Sequence, residues 1–130
     1  MREILFKART KDTKQWVEGD LLQDIFFSGF EENPETVIVT KYSGRFEVDP
    51  RTVCEYTGLN IEGKRVFEND ILSFWRYGKE YTGYVAFING AFCVQCDVCA
   101  PYLDDVSFRC NAKIIGNIYD EEKENEGALI

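Results

Sequence analysis

The chain has 130 residues, 45% of them apolar, 15% aromatic and 29% charged, with 15 basic and 23 acidic side chains and a net charge of −8. That length suits one domain or two small halves with a core that needs no disulfide staples, and the composition excludes a disordered chain. No apolar run approaches the roughly 18–20 residues of a membrane span, and the charges inside the opening Met1-Arg-Glu-Ile-Leu-Phe-Lys-Ala-Arg predict no secretory signal. A cytoplasmic globular protein is the expectation.

The predicted elements are strands. Ile4, Phe6 and Ala8 alternate with Leu5, Lys7 and Arg9; Thr36-Val-Ile-Val-Thr-Lys is a β-branched run; Arg45-Phe-Glu-Val-Asp alternates again. Residues 64–75 read as two strands around a tight turn at Glu68-Asn69-Asp70. Residues 84–94 read as a hairpin, because Asn89-Gly90 between two alternating apolar runs is the type I′ signal. Residues 99–106 read as a loop, and Ala112 to Tyr119 as a last strand. The tail from Asp120 is either frayed or one short helical turn. Turn signals at Ser28-Gly29, Glu32-Asn33-Pro34, Ser43-Gly44, Asp49-Pro50, Gly58, Glu62-Gly63, Gly78, Gly83, Asn89-Gly90 and Pro101 divide the chain into short strands. An all-β fold, a small barrel or a sandwich, follows.

Charge and composition narrow the chemistry. Residues 120–130 hold one basic and five acidic side chains, half of the net charge. An acidic chain is repelled by phosphate backbones, so ordinary nucleic-acid binding is disfavoured. The first fourteen residues run the other way, with Arg2, Lys7, Arg9, Lys11 and Lys14 against Glu3 and Asp12. They read as an edge strand protected by charge, or as a small anion-contact patch. The chain has no histidine, which removes Ser-His-Asp and Cys-His catalysis and His-liganded metal sites.

One stretch carries a family resemblance. Phe46-Glu-Val-Asp-Pro-Arg-Thr-Val-Cys-Glu-Tyr-Thr-Gly-Leu59, Glu62-Gly-Lys-Arg-Val-Phe-Glu-Asn-Asp-Ile-Leu72 and the terminal Ile114-Ile-Gly-Asn-Ile-Tyr119, with the opening nine residues and Trp16-Val-Glu-Gly-Asp-Leu-Leu22, closely resemble the YopX family. The likeness runs from residue 1 to about 120 and leaves out the stretches near 28–40, 76–82 and 93–111. It implies a phage or prophage protein of unassigned activity, and an SH3-like small barrel in the C-terminal half, residues 55–119. An N-terminal β subdomain, residues 1–50, would pack on that barrel, and an acidic tail, residues 120–130, would follow. It implies no catalytic or ligand residues. Two departures stand out: Asn69 replaces the family's usual glycine, a mild change because asparagine tolerates the left-handed region, and Cys54 stands where glycine is more common. Asp70 is expected to bond amides of its own turn. Glu55, Tyr56, Glu68 and Asp70 are either fold determinants or the lining of a shared pocket.

Three sets of side chains are candidates for function. Cys93, Cys96 and Cys99 form C-x-x-C-x-x-C and Cys110 follows, the ligand number of a structural zinc or an iron–sulfur cluster. On a continuous strand, 93 and 99 share one face and 96 the other, so convergence requires the strand to end near residue 95. The second knuckle of a zinc ribbon is absent. The expectation is free cysteines packed as small apolar residues, with no metal and no cofactor. Asp104-Asp105 and Glu68/Asp70 are paired carboxylates, yet neighbours on an extended chain point apart, so no catalytic residues are expected and a carboxylate or thiol hydrolase is the residual enzyme reading. Trp75, Tyr77, Tyr81, Tyr84 and Tyr102 are the binding candidates, with core packing as the alternative and Tyr81 placed on the face of Val85 and Phe87. The functional expectation is a non-enzymatic module that binds a host or phage protein, with self-association also open. The alternatives are a nucleic-acid-binding barrel and an acidic mimic that inhibits a host nucleic-acid-binding enzyme.

Overall fold

The computed structural model describes residues 3–23, 36–40 and 44–120. The turns expected at Ser28-Gly29 and Glu32-Asn33-Pro34, residues 42 and 43, Arg2, and the tail from 121 onward lie outside the described residues. The chain is mostly β, with two antiparallel sheets, and it divides into two compact units, 1–56 and 57–130. No helix among the described residues is long and apolar enough to cross a membrane.

In the first unit, β1 (Phe6–Arg9), β2 (Trp16–Gln23), β3 (Thr36–Thr40), β4 (Gly44–Glu47) and the start of β5 (Cys54–Ile61) lie in the order β4-β3-β2-β1-β5. Ala8, Ile38 and Val48 form the buried centre, flanked by Phe6, Val17, Leu21 and Phe46. The period-2 pattern of β1 explains its role: Phe6 and Ala8 supply the apolar face, while Lys7 reaches out over the Trp16 ring at 4.6 Å. Between β4 and β5, Asp49 caps a single 3-10 turn at Pro50–Thr52, accepting from the Arg51 amide at 3.0 Å. The Arg51 side chain, hydrogen-bonded to the same carboxylate, holds Asp49 below its ordinary value.

In the second unit, the rest of β5 pairs with β6 (Lys64–Phe67). A four-stranded sheet follows in the order β10-β7-β8-β9, from β7 (Asp70–Arg76), β8 (Lys79–Ile88), β9 (Ala91–Gln95) and β10 (Lys113–Asn117). Three of its hairpins close in the same way. Glu62-Gly63, Tyr77-Gly78 and Asn89-Gly90 all stand at positive φ, the type I′ geometry in which glycine is relaxed at the second position. Phe74, Leu72, Val66, Val85 and Val94 fill the core, each worth about 1.5–3 kcal/mol on burial.

One expectation is met in its coarser form and one is corrected. The C-terminal half is mostly β, in antiparallel sheets with β10 and β9 as the edges of the second. The loop expected at 99–106 is ordered: Tyr102 bridges to Cys93, and α1 (Leu103–Arg109) follows it. Its seven residues bury Leu103 and Val106, with Asp104 and Asp105 in the first turn and Arg109 in the last, matching the helix dipole.

Two of the motifs that carry the resemblance meet in the second unit. Asp70 is buried, and its Oδ2 accepts from the Phe67 amide at 2.8 Å, as expected of its own turn. Its Oδ1 accepts from Asn117 Nδ2 at 2.9 Å. The Ile118 amide donates to Asn69 O at 2.9 Å, and Asn69 stands at φ 69°. Glu-Asn-Asp near residue 69 and Gly-Asn-Ile near 117 are therefore two halves of one buried polar joint.

Candidate functional site

The β7–β8 hairpin tip gathers the most exposed aromatic surface. β7 alternates Leu72 and Phe74 inward with Ile71, Ser73 and Trp75 outward, so Trp75 is 49% exposed at the strand's end. The chain then turns at Tyr77-Gly78. Tyr77 stands at φ 55° and is 88% exposed. A tyrosine in the left-handed region costs about 1 kcal/mol, where asparagine or glycine costs little. The Arg76 guanidinium lies 5.2 Å from the Tyr77 ring centre. Against this tip stands α1, and Trp75, Arg76, Tyr77, Asp105 and Arg109 line an open cleft of about 280 Å³ floored by Val106 and Cys110. The link is backbone as well as side chain, since the Trp75 amide donates to Cys110 O at 2.7 Å. Asp105 reaches Arg109 at 4.0 Å, a weak exposed pair.

The other aromatics lie elsewhere. Tyr81 stacks on Phe74 with centroids 5.7 Å apart and packs against the core, because it shares the inward face of β8 with Gly83 and Val85. Tyr84 is on the outward face and lines a separate cleft with Ile71, Gln95 and Cys96. Tyr102 lines a third with Leu59, Phe92 and Leu103. Only Trp75 and Tyr77 share a cleft. Sequence reasoning missed Arg76 and Arg109, and named Asp105 only as one of the paired carboxylates Asp104-Asp105.

The strand ends near residue 95, the condition under which the thiols depart from strand parity. β9 stops at Gln95, and the turn that follows carries Cys96 into the core cluster, with Cys99 packed against it and Cys110 in the same cluster. Cys93 lies outside it, its thiol directed to Ala91 O at 3.8 Å. Among the described residues no group of three or more Cys, Asp or Glu is disposed to hold a metal ion. Burial, reinforced by a hydrogen bond with Cys99 and by that neighbour's charge, pushes the Cys96 thiol up to about 12.

Among the described residues, the basic side chains of the N-terminal segment are engaged within their own unit, and β1 lies between β2 and β5 rather than at an edge. Arg9 is buried and donates to Lys14 O at 2.9 Å, while Lys11 pairs with Glu47 at 3.0 Å. Asp70 serves the buried joint.

Neither the curated proteins nor the solved structures hold a match to this sequence. The family model described as YopX protein matches residues 5–123, nearly the whole chain and all the strands described above. The chain therefore belongs to the YopX family.

Proposed function

We propose that this protein is a non-enzymatic interaction module, a cytoplasmic phage or prophage accessory protein, that takes a short peptide segment of its partner at the β7–β8 tip. The observation that carries the reading is Tyr77: a large aromatic held exposed at positive φ, where the turn itself would be better served by asparagine. Trp75 beside it and the guanidinium groups of Arg76 and Arg109 complete a surface of the kind that dominates binding energy. The cleft has side-chain size. Two guanidinium forks favour a carboxylate, and the aromatic rings an apolar neighbour. An acidic residue next to an apolar one is the expected recognition element. The net charge of −8 repels a long polyanion, which places nucleic acid second.

The order β10-β7-β8-β9, extended by the Tyr102 bridge on β9 and with a helix just before the last strand, supports an SH3-like barrel in the C-terminal half. In that fold the last strand returns beside the first. Self-association belongs to the same proposal through the aromatic tip; light scattering that finds only monomer at high concentration removes it.

Selection of random display peptides on the full chain tests the module. Enriched sequences should pair Asp or Glu with an apolar residue, and Trp75→Ala and Tyr77→Ala should each weaken them at least about tenfold, as for central aromatic anchors. Peptides without acidic residues, or equal binding by both variants, reject the site. A mobility shift of single-stranded DNA at physiological salt would promote the nucleic-acid reading instead. Weaker inhibition of a host nucleic-acid-binding enzyme after removal of residues 120–130 would promote the mimic.

A further inference from the structure

We propose that Cys96 and Cys99 are a redox-active dithiol, closing to an intramolecular disulfide when a low-molecular-weight disulfide reaches Cys99. The geometry comes from the end of β9. The Cys96 amide donates to Cys99 O at 2.9 Å across a bend at Asp97-Val98. A backbone N–H···O bond of that length holds the two Cα atoms within roughly 7 Å of each other, overlapping the span of about 4.4–6.8 Å that a disulfide accepts.

Their surroundings divide the labour. Cys99 is half-buried at the margin of the core, and the adjacent Val98 stands in solvent. Cys96 is buried, its sulfur seated over Gly83, where an added Cβ would lie 2.9 Å from it. The accessible thiol attacks and the buried one resolves.

The steps balance. The Cys99 thiolate attacks one sulfur of the external disulfide, forming a mixed disulfide and expelling one thiolate. Cys96 then loses its proton to solvent and attacks the Cys99 sulfur, expelling the second thiolate. The two cysteines lose two electrons and two protons, and the external disulfide becomes two thiols. The first step also prepares the second. The hydrogen bond with Cys99 and that residue's charge help to keep Cys96 protonated. Both vanish once the Cys99 sulfur is capped. Arg76 acts on Cys96 in the direction of the thiolate, and Asp97 opposes it.

The test incubates the native full chain with oxidised glutathione, quenches with acid, and counts maleimide-reactive thiols after denaturation. Loss of two of the five thiols is expected, with a Cys96–Cys99 link in the peptide map and no glutathione retained. Cys96→Ser should retain one glutathione on Cys99, and Cys99→Ser should leave Cys96 unmodified. Near-UV circular dichroism checks that each variant is folded, and the wild-type map decides the matter without them. Five thiols remaining, a lasting glutathione adduct on the wild type, or a link from either residue to Cys110 would each overturn the proposal.

Discussion

At the scale of single residues, Tyr77 separates the needs of the turn from those of the surface. Tyr77→Asn relieves the strain at φ 55° and should raise stability by about 0.5–1 kcal/mol, while peptide binding falls at least about tenfold. A thermal melt and a binding titration on the same protein check both signs. Stabilisation with full binding would mean that the tyrosine is only a poor turn residue. Asp70 and Asn117 behave in the opposite way. Removing either partner leaves a buried polar group without its bond, so Asp70→Ala and Asn117→Ala should each cost about 2–3 kcal/mol. A double-mutant cycle should show coupling above about 0.5 kcal/mol, with peptide affinity of the folded fraction unchanged. Cys96 sets a pH dependence. Its thiol is raised from 9.0 to about 12 in the folded state, so its contribution is full below 9 and is lost as pH rises through 12. Under reductant, the stability gap between wild type and Cys96→Ala should narrow across that window.

At the scale of elements, what was legible in the sequence is what neighbouring residues encode. Asn89-Gly90 specified its hairpin, because the φ requirement falls on the two residues themselves. The turn at Glu68-Asn69-Asp70 was readable for the same reason. α1 was not, since seven residues show only one apolar i, i+3 pair, Leu103 and Val106, too little for a helical period. The cysteine faces were legible only on a condition, because strand parity holds only while the strand continues, and β9 ends at Gln95, one residue before Cys96. Of the candidate site, Trp75 and Tyr77 were visible as exposed aromatics around a turn, whereas Arg109 joins them only through the packing of α1. The tight contact of Gly83 with β9 was likewise invisible. An added Cβ at Gly83 would lie 2.5 Å from Gln95 O, a backbone atom that cannot step aside. Gly83→Ala should therefore cost about 1–3 kcal/mol, as overpacking does, and lower the melting temperature accordingly.

At the scale of the whole molecule, the described sheet edges are guarded. β4 carries Arg45 and Glu47, β10 carries Lys113 and an irregularity between Ile114 and Gly116, and Val94 on β9 donates to Pro101 O at 2.9 Å. Charges, bulges and covering loops are the devices that discourage edge-to-edge pairing. Concentrated samples should therefore stay clear of fibrillar aggregates, which thioflavin fluorescence would register. The joint between Asp70 and Asn117 has a consequence for how the chain matures. β7 lies between β8, its immediate successor, and β10, which follows more than thirty residues later. During synthesis the β7–β8–β9 meander can form early from local contacts, but Asp70 gains its distant partner only when the last strand arrives. Until then the nascent second unit carries an open flank and an unmatched carboxylate. A premature stop anywhere before Lys113 would leave that intermediate as the final product, a ready target for proteases.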